Sequence, residues 1–194
     1  MNESYKFPLI SGHPSLDLVN TELFRRGQRH DLLITEVDLL DWISIVHESS
    51  LAWNEELISK TKVEIGQVLL SLRDLRGTLR EQFEAIADGQ RITESFITLL
   101  EQYIEKAPYT YKLRDQQLIA VPMGKIENAL KSLIALDVLT LISENKLYTL
   151  KRCSNPECVL LFMDESGRRK WCSMKICGNR KKVARYEQRK TEED

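Results

Sequence analysis

The sequence lacks an excess of charge of either sign. Lys and Arg number 28 and Asp and Glu 29, for a formal net charge of −1. Taken as an average, that balance predicts no polyanionic or membrane partner. It also lacks a long hydrophobic run. The most apolar stretch, Leu133 to Ile142, is interrupted by Asp137 and falls far short of the ~20 apolar residues that cross a bilayer. The opening MNESYKFPLI has neither a basic start nor an extended apolar segment, so no secretory leader is expected and the cytoplasm is the expected location. No repeat period or low-complexity segment occurs. Nor is there an HExxH motif, a nucleophile elbow, a P-loop or a dinucleotide fingerprint. His13, His30 and His47 stand apart from one another and read as capping, core or surface residues. An enzyme is therefore not expected. Cysteine, finally, is missing from everything before residue 153.

What is present is an ordinary globular composition, 42% apolar and 29% charged over 194 residues, enough for a packed core. The charge is unevenly placed. Residues 151–194 hold 12 basic and 7 acidic side chains, net +5, which leaves 16 basic and 22 acidic in residues 1–150, net −6. An acidic body carrying a basic end suggests that the end binds a polyanion.

The apolar spacing of the body is mainly helical. Leu16, Leu18, Val19 and Leu23 form a short amphipathic stretch that the Arg25-Arg26-Gly27 region breaks. Thr35 followed by Asp38 marks a helix start, with Leu39, Trp42, Ile43 and Val46 behind it. A longer helix is expected from near Lys62 through Leu69, Leu72, Leu79 and Phe83 to a stop at Gly89. Thr93 starts another that Pro108 ends. The period then changes: residues 109–113 and 117–121 read as a β-hairpin. A helix over about 125–143, stopped at Asn145, and a third strand over Leu147–Leu150 complete the body. The expected fold class is α+β: a mainly helical body with a small antiparallel sheet through residue 150, then a separate unit over residues 151–194.

That unit contains all four cysteines, Cys153, Cys158, Cys172 and Cys177, spaced C-x4-C, thirteen residues, C-x4-C. Paired cysteines around a hairpin-length insert point to one tetrathiolate zinc. The need for it is physical, because so short a segment with few large apolar side chains seldom folds unaided. Zinc binding in small fingers is worth roughly 10–16 kcal/mol. Disulfides have no export signal to support them, and reduced core cysteines would be scattered. An iron–sulfur cluster or a redox-switched zinc uses the same donors and stays open. A closed shell of four thiolates has no free coordination position, so the metal is structural. Val159–Met163 and Arg168–Trp171 are expected to pair as a hairpin, and 181–190 to form a helix, which together describe a treble-clef-like finger. Its core and that of the body are expected to be separable.

The segments Arg152-Cys153-Ser154-Asn155-Pro156-Glu157-Cys158, Gly167-Arg168-Arg169-Lys170-Trp171-Cys172-Ser173-Met174 and Cys177-Gly178-Asn179-Arg180-Lys181 closely resemble the CGNR zinc-finger family. Ser15-Leu16-Asp17-Leu18-Val19-Asn20-Thr21, with Asp31-Leu32-Leu33 and Asp38-Leu39-Leu40-Asp41-Trp42, resembles the ABATE domain that precedes this finger in bacterial proteins. The resemblance implies a stress-related transcriptional regulator with a DNA-binding finger.

Arg168, Arg169 and Lys170 on the expected hairpin, and Lys181, Lys182, Arg185 and Arg189 on the expected helix, are the candidate phosphate contacts. DNA is the expected partner, with RNA, a homodimer and a small-molecule effector as further expectations. A zinc-stabilised protein-interaction module is the alternative. Gly178 is expected to allow a backbone conformation closed to other residues, or to let amides approach a thiolate. Asp17, Asn20 and Thr21 recur at helical spacing and are candidates to line an effector pocket, against the simpler reading of helix-to-helix hydrogen bonding.

Overall fold

The computed structural model describes residues 6–25, 27–49, 53–114 and 116–178. The expected basic helix, with Lys181, Lys182, Arg185 and Arg189, lies outside the described residues, as do Asn179 and Arg180.

Helix α1 (Pro14–Val19) opens on a proline whose missing N–H would have no helical partner. It is followed by the antiparallel strands β1 (Glu22–Arg25) and β2 (Gln28–Asp31), which turn at Gly27, φ 77°. The first helix is thus shorter than its apolar spacing suggests, and Leu23 belongs to a strand. Helix α2 (Glu36–Ser49) starts on a reciprocal cap: the Asp38 amide donates to Thr35 Oγ1 at 3.2 Å and the Thr35 amide to Asp38 Oδ2 at 2.6 Å. Helix α3 (Glu55–Val63) is capped by Asn54, and Glu64, at φ −114°, breaks the chain before α4 (Ile65–Ala87). The long helix expected from near Lys62 is present as α4, starting three residues later, and a further helix, α3, precedes it. Helix α5 (Glu94–Lys106) is capped by Thr93. Strands β3 (Tyr109–Arg114) and β4 (Gln117–Pro122) form the expected hairpin. Helix α6 (Ile126–Ser143) ends just before Asn145, whose φ of 58° turns the chain out of the helix.

The third strand starts later than its sequence suggests. Leu147–Thr149 is a turn of 3-10 helix, and strand β5 is Leu150–Arg152. Its partner is β6 (Leu161–Met163), paired Lys151↔Phe162. The hairpin expected between 159–163 and 168–171 is therefore replaced by a pairing back to the end of the body. The returning segment touches the finger by a different bond, from the Ser154 amide to the Lys170 carbonyl at 2.9 Å. The three antiparallel pairs are separate two-stranded sheets on a mainly helical framework. No helix among the described residues is long and apolar enough to cross a membrane.

The core lies between α4 and α6, with α5 packed along α6 and α1 set against both. Leu72, Leu75, Leu79 and Phe83 give α4 one fully buried apolar face. A quarter-turn away the same helix buries two cations. Arg76 donates to both carboxylate oxygens of Asp31, at 2.6 and 2.7 Å, and to Thr21 Oγ1 at 2.8 Å. This bidentate bond ties α4 to the β1–β2 hairpin. Burial would raise the Asp31 pKa, but the bonds from Arg76 and the Leu33 amide outweigh it and hold the carboxyl below its ordinary value.

Arg76→Met is expected to cost about 3 kcal/mol, the lower end for breaking a buried pair, because Asp31 keeps some solvent. Urea denaturation of the two proteins measures it, and a loss under about 1 kcal/mol would show that the pair does not anchor the hairpin.

Candidate metal centre and nucleic-acid surface

Each cysteine is delivered by a local turn. Cys153 follows β5. Asn155 shapes the next turn, its carbonyl accepting from the Cys158 amide at 2.9 Å and its Oδ1 from the Glu157 amide at 3.3 Å. Ser173 caps a short π-helical turn, Met174–Gly178, by accepting at Oγ from the amides of Lys175 and Ile176. That turn brings Cys177 inward.

The four Sγ atoms lie within 4.8 Å of one another, and Cys158 and Cys172 are 3.8 Å apart. Four sulfurs on Zn–S bonds of about 2.3 Å would be separated by roughly 3.8 Å, so the cluster has the size of a zinc tetrahedron. The electrostatics agree. Without a cation, S–H bonds from Cys158 and Cys172 hold the Cys153 thiol far below its ordinary range. The same contact with Cys153 pushes Cys158 up to about 12 and Cys172 higher still. A dication removes that conflict, since all four then bind as thiolates. Surrounding donors meet the resulting negative charge: Asn155 Nδ2 points at Cys177 Sγ (3.6 Å) and the Cys172 amide at Cys153 Sγ (3.5 Å). These four residues are a site for one structural zinc.

Gly178 does not adopt a positive φ, so its expected conformational role is corrected. A Cβ there would sit 2.5 Å from Met174 Sδ, and the tight turn that carries Cys177 leaves that space to methionine.

The three cations of the 168–170 segment have different fates. Arg169 is exposed but engaged: its guanidinium lies 4.7 Å from the Phe162 ring centroid and donates to the carbonyls of Met163 (3.2 Å) and Cys172 (2.6 Å). It clamps the finger together, so its guanidinium is already engaged with protein groups. Arg168 and Lys170 are exposed. Between β6 and this segment, the buried Asp164 carboxylate accepts from Ser166 Oγ, the Arg169 amide and Lys151 Nζ, which fixes the turn through Gly167.

Asp17, Asn20 and Thr21, the candidates for an effector pocket, are buried and bonded to protein partners. Thr21 Oγ1 donates to the Leu18 carbonyl and accepts from Arg76. Asp17 accepts from Ser11 Oγ at 2.8 Å and from the Ser11 amide at 3.2 Å. Asn20 reaches the finger: Nδ2 donates to the Leu161 carbonyl at 2.9 Å, and Oδ1 accepts from the Leu161 amide at 3.0 Å. None of the three lines the cavity of about 270 Å³ between α3, the β3–β4 hairpin and the start of α6, or the open groove of about 450 Å³ between α4 and α5.

The residues that sequence reasoning missed are those that dock the finger. Arg80 donates to the Val19 carbonyl and, at 3.1 Å, to the Val159 carbonyl. Its Nε lies 2.6 Å from Glu22 Oε2, an ion pair whose angle is not that of a hydrogen bond. Arg152 forks onto Asp88 at 2.7 and 2.9 Å and reaches Glu84 at 3.2 Å. Leu23 packs in the cysteine core, with Ile10 and Leu32 against it, while Leu161 lies in the core of the body. The two apolar clusters stay distinct, but each takes in a residue from the other part. A buried-size arginine at helical spacing on an apolar helix was the available signal, but nothing local named its partner.

A family model for the CGNR zinc finger matches residues 149–190. A second, ABATE, described as a putative stress-induced transcription regulator, matches residues 12–145. No curated protein matches the chain.

Elemental analysis of the purified protein should find one zinc per chain, and Cys158→Ser should retain markedly less. Release to a chromophoric indicator should rise as pH falls, because protons compete for the thiolates; zinc-free protein with residues 150–178 still protected from exchange would contradict the site. Asp17 makes a separate prediction. Burial pushes its carboxyl up to about 6, against its hydrogen bonds from Ser11, so the native state holds this proton more tightly than the unfolded chain. Its contribution to stability is therefore largest below about pH 4 and declines as pH rises to 6. Melting temperatures of Asp17→Asn and the native protein should diverge across that window, and parallel profiles would refute the assignment.

Proposed function

This chain belongs to the ABATE family and ends in a CGNR zinc finger, and from that premise we propose that it is a transcriptional regulator whose finger binds DNA. Arg168 and Lys170 carry the reading: they stand exposed on the finger, while Arg152 and Arg169 are engaged with protein partners. Exposed cations beside a rigid zinc site suit phosphate oxygens, and each phosphate neutralised releases counterions from the duplex. Lys181, Lys182, Arg185 and Arg189 would extend the same positive end. The zinc supplies shape rather than chemistry, because four thiolates close its coordination sphere. The body supports the finger on α4 and would convey any effector signal through that contact. The reading places the protein in the cytoplasm and assigns it no catalysis.

Fluorescence anisotropy with mixed-sequence duplexes, titrated with salt, tests it. Binding should weaken steeply as salt rises, and Arg168→Ala, Lys170→Ala and Arg185→Ala should each lower the slope of log affinity against log salt by about 1. Affinity indifferent to all three changes would remove the finger as the contact. Absence of duplex binding by the zinc-loaded protein would favour the zinc-stabilised protein-interaction module instead.

A further inference from the structure

We propose that Asn20 and Arg80 are positioning residues for the finger, and that through them zinc occupancy and the fold of the α1–β1 layer form one linked equilibrium. The proposal rests on the zinc site and is independent of the nucleic-acid reading.

It starts from an edge. Strand β6 pairs with β5 on one side only, so the outward backbone groups of alternate residues need other partners. At Val159 the carbonyl accepts from Arg80. At Leu161 the carboxamide of Asn20 meets both the carbonyl and the amide, as a peptide unit of a neighbouring strand would. Asn20 and Leu161 are both fully buried, so neither bond has a ready replacement in water.

The same short segment holds the metal ligand. Val159 follows Cys158 directly, and the Leu160 amide donates to the Cys158 sulfur. The bond to Arg80 is thus at the residue next to the ligand cysteine, and the bonds to Asn20 are only two residues farther on. On the other side these two are fixed in the body. The Asn20 amide donates to the Leu16 carbonyl at 2.9 Å and ends α1. Arg80 also holds the last carbonyl of that helix, at Val19, and sits against Glu22 of β1. Leu23 of β1 completes the apolar shell around the cysteines. Zinc fixes the geometry of 158–161, that geometry satisfies Asn20 and Arg80, and they in turn hold α1 and β1. Coupling of this kind is reciprocal, so loosening the body side must weaken zinc binding by the factor with which zinc stabilises the body.

Hydrogen exchange on the full chain, zinc-loaded and then chelated, reads the first direction. Exchange should rise in residues 14–25 and 76–88 together with 150–178, while α5, which packs on α6 away from the finger, stays protected. Unchanged protection of 14–25 while 150–178 opens would overturn the proposal, and this arm needs no variant. Competition with a chromophoric chelator reads the other direction. Asn20→Ala should weaken zinc retention about 10- to 30-fold, the equivalent of two lost buried hydrogen bonds. Ser132→Ala, which removes a buried bond to the Ala107 carbonyl far from the finger, should leave retention unchanged. Equal zinc affinity in Asn20→Ala and the native protein, or an equal loss in Ser132→Ala, would reduce Asn20 to a general stabiliser and defeat the claim.

Discussion

The outward edge of strand β6 is the constraint on which the joining of the two parts depends. A three-residue strand paired on one side exposes backbone groups at every second residue, and in a buried position each must be met. Arg80 meets Val159, Asn20 meets Leu161, and Arg169 meets Met163. Two of these partners come from the body and one from the finger itself. The edge thus acts as a seam: on one side lies the cysteine cluster, on the other the first helix and first hairpin. The mixing of Leu23 and Leu161 into each other's cores follows from it.

Helix α4 supplies much of the body's side of the seam. Its apolar face fills the core, and Arg76 and Arg80, one turn apart, present guanidinium groups to Asp31, Glu22, Val19 and Val159. Near its end, Glu84 and Asp88 receive Arg152. Part of the basic excess of residues 151–194 is therefore structural: Arg152 joins finger to body, Lys151 neutralises Asp164, and Arg169 closes the turn over Phe162. Net charge overstates what a polyanion would meet, because cations with buried or bidentate partners are already committed.

Much of the fold was legible in the sequence where local chemistry determines it. Thr35 with Asp38, Thr93, Pro108 and Asn145 mark helix ends, and the change of period at Tyr109 marks the β3–β4 hairpin. The readings that failed depend on partners distant in sequence or on a single break. Apolar spacing sets the start of α4 near Lys62, three residues early, because Lys62 and Val63 close α3 and the break at Glu64 is made without a proline. Residues 159–163 read equally well as pairing forward or back, and the bond from the Asp164 amide to the Thr149 carbonyl belongs to the backward pairing.

By itself, the sequence determined the ligands of the metal centre: donor type, number and turn spacing are local properties, and four cysteines at C-x4-C intervals specify a tetrathiolate site without reference to the rest of the chain. Only the tertiary structure decided what the polar residues of the first helix do. Asn20 and Leu161 are 141 residues apart, and a carboxamide that can serve a ligand, a helix or a strand edge takes its role from whichever buried backbone group the fold leaves unpaired beside it.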